Sequence, residues 1–292
     1  MRTSSLTRLI ILSLLFLGLS ACFSAQQIIS STATPLFQDI ARSAGRQSDL
    51  RLVRQGLPSY LMAIDGLILS YPDNQDLLLA GAQAYASYAS LLDEEDNPRV
   101  PPLLTKAKNY ALKALQLHPN LKGEIGRPID LFLKQLEAFD KKDVSLLFWT
   151  ANIWATWIAS SPDSIEAMTE LPWVEAMMER ALQLDPGFYY GGPHLFKAIL
   201  LSLRPAQFGG DLKKAQAHFN EAFRWGEGKF LMAQVYYAQY YARQTLDKEL
   251  FLSTLNKVLS LPADANPDLT LVNTLAQKKA QKLLTQVDEW FD

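Results

Sequence analysis

The 292-residue sequence has a single cysteine, Cys22, and only three histidines. One cysteine cannot form a disulfide within the chain, and it excludes a metal or redox site built from cysteine pairs. The histidines form no H-E-x-x-H motif and no pair four residues apart, so the usual sequence signs of a zinc site are missing. We therefore expect no bound metal and no cofactor.

An excess of basic residues is also missing. The chain has 28 Lys and Arg against 30 Asp and Glu, for a formal net charge of −2. A nucleic-acid partner would require a basic face, so we expect none. Neither G-x-S-x-G nor G-x-x-x-x-G-K-[ST] occurs, and no nucleophile stands at a recognisable spacing from a base. The sequence predicts a protein that is not an enzyme.

The N-terminus has the order of a secretory signal. Arg2 and Arg8 precede an apolar run over 9–19, which is shorter than the roughly 20 residues that a spanning helix needs. The next residues complete Leu-Ser-Ala-Cys at 19–22, which resembles a bacterial lipobox. We predict a lipoprotein signal peptide over 1–21 and lipidation of Cys22. The alternative is that Cys22 is incidental in a signal peptide or a short membrane anchor.

The residues after Cys22 predict where the protein is located and where it has a flexible tether. Phe23, not an aspartate, follows the cysteine. By resemblance to the bacterial sorting rule, this predicts a lipid-anchored protein of the bacterial envelope, in the outer membrane and facing the periplasm. Residues 22–34 are small and polar without periodicity, which is typical of a flexible tether.

From residue 35 onward, apolar residues recur at spacings of three and four, and strand-like alternation is hard to find. The pattern predicts an all-helical domain over 35–292. We place its helices at about 57–70, 74–92, 103–117, 125–139, 143–160, 164–184, 193–203, 211–225, 229–243, 247–260 and 267–290.

An internal repeat indicates how these helices are arranged. Ala-Leu-Gln-Leu-x-Pro occurs at 114–119 and again at 181–186, with prolines 67 residues apart, close to twice the tetratricopeptide period of about 34. Small residues at fixed positions let antiparallel helices nest, and the proline ends the second helix. A third copy and a weaker fourth, which ends at Pro262, follow. The fold class predicted is all-α, a degenerate tetratricopeptide-type helical-hairpin array, or α-solenoid. The residues that carry the small or core positions are Ala107, Ala114, Ala181, Ala215, Phe219 and Ala222.

The segment 144–160, VSLLFWTANIWATWIAS, is uncharged and rich in tryptophan. A helix that is apolar all round is usually buried inside a domain. The alternative is that Trp149, Trp154 and Trp157 line an apolar ligand groove, since solenoids form concave surfaces. Asn152 in the middle of such a helix must either find a hydrogen-bond partner or face a cavity.

The segment 187–197, GFYYGGPHLFK, interrupts the helical pattern. Gly191 and Gly192 remove side chains where backbone must approach another helix or a ligand. Either Gly192 caps a helix that Pro193 begins, or a helix begins near Phe188 and the glycines lie on a packed face. Downstream, Gly209 and Gly210 predict a turn, and Asp211 predicts a helix cap.

The lipobox, A-L-Q-L-D-P followed by YYGGPH, and then RP, GGD and HF-x-EA together resemble the TRAP-transporter T-component (TatT) family. The match is densest over 176–225. The resemblance implies a tetratricopeptide-like periplasmic lipoprotein without enzymatic activity. It implies association with the periplasmic solute-binding protein of a tripartite ATP-independent transporter, and binding or delivery of a small apolar organic ligand. It also implies a homo-oligomer, with a trimer as one option.

The candidate groove residues are Trp149, Asn152, Trp154, Trp157, Tyr189, Tyr190 and His194. The structural signature consists of Gly191, Gly192, Pro193, Gly209, Gly210 and Asp211. The alternative for this signature is that it only defines helix junctions. The alternative function is a tetratricopeptide-type scaffold lipoprotein that holds protein partners in envelope assembly.

Overall fold

The computed structural model describes residues 35–92, 98–121 and 128–291. The signal peptide predicted over 1–21, Cys22 and the tether over 22–34 lie outside the described residues. The chain divides into two compact units, 1–40 and 41–292. The described residues of the first unit, 35–40, are helical.

The described residues form helices and no strand, which confirms the all-α fold class. The first helix, α1, covers 35–45. The others are α2 (Leu50–Ser70), α3 (Gln75–Ser90), α4 (Val100–Gln116), α5 (Ile129–Leu136), α6 (Val144–Ala159), α7 (Ile165–Thr169), α8 (Leu171–Leu184), α9 (Phe188–Leu203), α10 (Leu212–Trp225), α11 (Leu231–Tyr236), α12 (Lys248–Ser260), α13 (Thr270–Leu284) and α14 (Val287–Phe291). A π-helical segment, Tyr237–Ala242, continues α11.

Helix α2 begins at Leu50, so the predicted start near 57 is wrong. The Asp49 carboxylate accepts hydrogen bonds from the backbone N–H groups of Arg51 and Leu52, each at 3.0 Å, and caps the helix. Pro58 lies inside α2. The predicted end is confirmed, because Tyr71 caps α2 just before Pro72.

Two predicted helices are each divided in the structure. The helix expected over 164–184 breaks at Glu170, and Pro172 lies in the first turn of α8, where its missing N–H costs nothing. The helix expected over 267–290 is a 3₁₀ turn followed by α13 and α14. Apolar periodicity runs through both breaks, so it does not reveal them.

The small residues of the repeat lie where successive helices meet. Helix α3 packs on α4, α6 packs on α8, and α9 packs on α10. Contacts between neighbouring helices in chain order fit a helical-hairpin array. The completely buried repeat residues are Ala107, Ala114, Ala181, Ala215, Phe219 and Ala222.

Helix α6 is the central element of this packing, in contact with α3, α4, α8 and α9. Its apolar side chains are mostly buried, including Leu147, Ala151 and Ile153. Within the described ranges, no helix combines the length and the apolar character that crossing a bilayer requires.

Candidate ligand-binding cavity

The start of α9 has a left-handed backbone. Tyr189 (φ 44°, ψ 57°), Tyr190 (φ 58°, ψ 37°) and Gly191 (φ 78°, ψ 24°) are consecutive left-handed residues. Glycine adopts this conformation freely, but each tyrosine costs about 1–2 kcal/mol. The right-handed helix starts at Gly192, with Pro193 in its first turn, as the first of the two alternatives predicts. Strain of this kind persists only when surrounding packing fixes it.

Close packing fixes the two glycines of this junction. A Cβ atom on Gly192 would lie 2.5 Å from Cζ of Phe148, and one on Gly191 would lie 2.9 Å from the Cα atom of Ala222. The junction therefore sits directly against α6 on one side and α10 on the other. Its unusual backbone aims the Tyr189 ring at α6.

Tyr189 is the centre of an aromatic cluster. Its ring centroid lies 4.7 Å from Trp149, 5.6 Å from Tyr190, and 5.8 Å from both Phe148 and Phe230. The pairs adopt edge-on or tilted geometries, which are the favourable ones for aromatic rings. Burial raises the pKa of the Tyr189 hydroxyl to about 12. The hydroxyl therefore stays protonated near neutral pH and can only donate or accept a hydrogen bond.

One side of this cluster faces a large cleft, which we call the aromatic cavity. Its volume is about 1160 Å³. Pockets for small organic ligands commonly measure about 300–1,000 Å³, so a whole organic molecule fits. Helices α2, α3, α6, α9, α11 and α13 all contribute to its wall. The aromatic part of the wall includes Phe148, Trp149, Tyr189, Phe230, Tyr236 and Trp290.

A π-helical segment forms part of the cavity wall. Tyr236 immediately precedes Tyr237–Ala242, and Gln239 within this segment also lines the cavity. Single π turns in helices occur frequently at functional sites, because they turn side chains out of the α-helical register. The buried Oε1 atom of Gln239 has no hydrogen-bond partner. A buried amide oxygen without a partner in a cavity wall is free to bond to a bound molecule.

Three of the candidate groove residues, Trp149, Asn152 and Tyr189, line the cavity, and so does Gly192 of the structural signature. Tyr190 lies next to them, where its hydroxyl accepts a hydrogen bond from Nδ2 of Asn266 at 3.3 Å. Among the described residues, the side-chain amide of Asn152 has no hydrogen-bond partner, and its place in the cavity wall explains how a polar group is tolerated in α6.

Trp154 and Trp157 do not line the cavity. The indole N–H of Trp154 donates to Glu170, which also pairs with the ammonium of Lys108. The Trp157 ring centroid lies 3.4 Å from that ammonium, and its N–H donates to Thr105 at 3.1 Å. Both tryptophans therefore connect α6 to α4 and to Glu170.

His194 also lies outside the cavity wall, and it has a partner that sequence spacing does not reveal. Its Nδ1 atom is 2.9 Å from Nδ1 of His218 on α10. Burial lowers the pKa of both imidazoles below the ordinary histidine value. At this distance one ring must be the donor and the other the acceptor, so the pair holds α9 to α10 when at least one ring is neutral.

The second half of the signature forms a helix junction. Gly209 has φ 90°, in the left-handed region, and a Cβ on Gly210 would lie 1.8 Å from the carbonyl oxygen of Arg204. The Asp211 carboxylate accepts from the N–H of Lys214 at 3.0 Å and caps α10, as the sequence predicts. These three residues are not in the cavity wall.

Sequence reasoning missed most of the wall. Arg51, Arg54, Lys278, Lys279 and Lys282 all line the cavity. Their only sequence signal is helical spacing, which equally suits a solvated surface.

Two further features of the described residues concern metal binding and a second pocket. The described part of the chain holds no cluster of three or more His, Cys, Asp or Glu side chains that could bind a metal ion. A second pocket, between α8 and α9, measures about 10 Å³. That is room for about one water molecule.

Comparison with known proteins places the chain in a family. Residues 46–291 match the family described as TRAP transporter T-component. A protein of Treponema pallidum (strain Nichols), named only as an uncharacterized protein, is 25% identical over 270 residues, covering 87% of this chain and 84% of that protein. The chain therefore belongs to the TRAP transporter T-component family, which is an accessory family of TRAP transporters rather than a family of enzymes.

Proposed function

We propose that this protein binds a small apolar organic ligand in the aromatic cavity and delivers it to the solute-binding protein of a TRAP transporter. One observation carries the proposal: a cleft of about 1160 Å³ with an aromatic wall centred on Trp149 and Tyr189. Aromatic walls are typical of sites that bind apolar organic ligands. The proposed role involves no catalysis.

The proposal includes the envelope location and the oligomer. Lipid on Cys22 would tether the domain to the outer membrane, facing the periplasm, where solute-binding proteins work. Self-association is supported by apolar residues on the outer face of α2: Met62 is 69% exposed and Leu69 is 84% exposed. They lie seven residues apart and hence on one face of the helix. A contact between copies would remove both from water.

Two measurements on the purified full chain test the proposal. Native mass spectrometry would detect a bound organic ligand, and co-purification would detect the solute-binding protein. Trp149→Ala removes one of the two indole rings that line the cavity among the described residues, Trp149 and Trp290, and should abolish the ligand-bound species. Trp173→Phe is the matched control, because this indole lies outside the cavity wall and its N–H has no partner.

The scaffold alternative predicts a different result. A pure scaffold would retain a protein partner but show no small molecule, and Trp149→Ala would change nothing in the mass spectrum. Absence of both ligand and solute-binding protein under mild conditions would refute the proposed function.

A further inference from the structure

The pair formed by His194 and His218 joins a helix of the cavity wall to the helix that supports it. His194 belongs to α9, and its neighbours Gly192, Leu195 and Phe196 all line the aromatic cavity. His218 belongs to α10, which is described throughout and contributes no residue to the wall. The Nδ1 atoms of the two rings lie 2.9 Å apart. A change in this contact therefore acts on the wall from outside the cavity.

Helix α10 is the main support of the left-handed junction at the start of α9. Helix α9 contacts α10 more extensively than it contacts α6. A Cβ atom on Gly191 would lie 2.9 Å from the Cα atom of Ala222, so the two backbones touch. The left-handed dihedral angles of Tyr189 and Tyr190 are unfavourable for a tyrosine, and they persist only while packing holds them. Loosening of the contact with α10 therefore allows the junction to relax.

The hydrogen bond of the pair requires a neutral ring. The Nδ1 atom of one ring donates, and the Nδ1 atom of the other accepts through its lone pair. With a proton on both Nδ1 atoms, no acceptor is left and two positive charges stand in contact. Like charges at this distance repel each other, so two protonated rings separate.

The carboxylates near the pair are already bound to cations. Glu179 on α8 pairs with Lys197 at 2.9 Å, and Glu221 on α10 pairs with Arg224 at 2.6 Å. These four groups act on the two imidazoles in opposite directions. Among the described residues, neither imidazole forms an ion pair of its own. A second positive charge on the pair therefore has no dedicated counterion.

The other elements packed against α9 and α10 do not provide a counterion either. On α10, Lys214 lies one turn before His218 and pairs with Asp211 at 3.2 Å. At the end of α9, Arg204 pairs with Glu175 of α8. Helices α6 and α11 contain no charged residue, and the π-helical segment contains no charged residue besides its tyrosines. Acid therefore changes the charge of the pair without a compensating group.

Proton binding favours the separated rings. Burial lowers the pKa of both imidazoles below the ordinary value of about 6.5. Rings that separate and reach water regain that value, so the open form binds more protons in acid than the closed pair does. Each additional proton multiplies the open population about tenfold for every pH unit below 6.5.

We propose that His194 and His218 form an acid-released latch on the wall of the aromatic cavity. With a neutral ring in the pair, the latch holds α10 against α9 and keeps the left-handed junction in place. With both rings protonated, α9 loosens from α10, and the wall segment 188–196 opens. Two discrete packings of this kind are how a small local change moves a whole element. The inference concerns the wall itself and does not depend on what the cavity binds.

Hydrogen–deuterium exchange measures the opening directly. The full chain carrying Cys22→Ser is compared at pH 7 and pH 5, and each rate is divided by the intrinsic exchange rate at that pH. The reporter is the segment 188–196, and the reference is α4, which packs on α3 and α6. One additional proton in the open form predicts corrected exchange about 25-fold faster at pH 5 in 188–196. In α4 the change should be much smaller.

Variants assign the effect to the pair. His194→Gln/His218→Gln keeps hydrogen-bonding side chains that do not titrate, so the corrected exchange of 188–196 should be the same at both pH values. His118→Gln is the control, because this third histidine lies outside α9 and α10 and pairs with Asp143 at 3.2 Å. It should retain the pH effect. If the double variant does not fold, the comparison of 188–196 with α4 in the unsubstituted pair still decides the question.

Three outcomes would overturn the latch. Equal corrected exchange of 188–196 at both pH values shows that acid does not open the wall. An equal rise in α4 shows unfolding of the whole domain instead of a local opening. A pH effect that persists in His194→Gln/His218→Gln assigns it to another group. None of these outcomes affects the proposed function, which native mass spectrometry and co-purification test at neutral pH.

Discussion

The Nδ1 atoms of His194 and His218 lie 2.9 Å apart and join α9 to α10 next to the left-handed junction. Burial is the largest cause of the lowered pKa of both imidazoles. Lys197 and Arg224 lower these pKa values further, and Glu179 and Glu221 oppose the shift. Two protonated rings at this distance would repel each other.

This pair predicts a pH-dependent stability. Because the folded pKa lies below the ordinary value of about 6.5, the unfolded chain binds more protons as pH falls through that value. The free energy of unfolding should therefore fall between pH 7 and pH 5. Urea denaturation at these pH values should show a smaller fall in a His194→Gln/His218→Gln variant. Equal pH dependence in both proteins would contradict the prediction.

Substitution of Gly192 should disturb the contact between α9 and α6. A Cβ there would stand 2.5 Å from the ring of Phe148, which is buried and packed against Trp149. Gly192→Ala should lower the free energy of unfolding by about 1–3 kcal/mol through overpacking. The control is Gly66→Ala in α2, where a Cβ meets nothing within 4 Å. It should stabilise the protein by about 0.5–1 kcal/mol, since alanine suits a helix better. Equal effects would refute the packing argument.

Gln239→Leu should separate stability from binding. Loss of a buried amide oxygen without a partner removes a cost, so the free energy of unfolding should stay constant or rise by up to about 1 kcal/mol. Ligand occupancy in native mass spectrometry should fall, because the cavity loses a polar contact. Gln234→Leu is the contrast: its Nε2 donates to the Gly228 carbonyl at 3.2 Å, so this variant should be destabilised by about 1 kcal/mol. Unchanged occupancy in Gln239→Leu would rule out a role in binding.

The fold was predictable where local patterns decide it. Alanines at repeat positions marked the helix contacts, and the Asp211 cap was visible in the sequence. The left-handed Tyr189 and Tyr190 were not, because a tyrosine opposes this backbone locally and only packing against α6 and α10 imposes it.

The cavity was only partly predictable. Trp149 and Asn152 were identified because they lie in an uncharged helix. Asn152 in such a helix must either form a hydrogen bond or face a cavity. Lys279 was missed because Lys-Lys in a helix is typical of a solvated face, and its burial results from packing against Tyr236, 43 residues earlier in the chain. Long-range packing of this kind leaves no local signature.

Cys22→Ser tests the proposed anchor. Without the thiol, no acyl chain can be attached, and cell fractionation should find the protein in the soluble periplasmic fraction instead of the membrane pellet. A Ser24→Ala variant keeps the thiol and should remain with the membranes. If Cys22→Ser still sediments with the membranes after a high-salt wash, the lipoprotein interpretation is wrong.

Tryptophans on the same helix should behave in opposite ways. Trp154 donates its N–H to Glu170 and is buried, so Trp154→Phe leaves that carboxylate with one donor fewer. Loss of a buried hydrogen bond to a charged group should lower the free energy of unfolding by about 1.5–3 kcal/mol. Ligand affinity should be unchanged, because Trp154 lies outside the cavity wall. Trp149→Phe should show the reverse, with reduced affinity and a smaller loss of stability, since no hydrogen bond of its indole is broken. Urea denaturation and ligand occupancy in native mass spectrometry measure the two effects on both variants. Reduced occupancy in Trp154→Phe alone would place the ligand on the other side of α6.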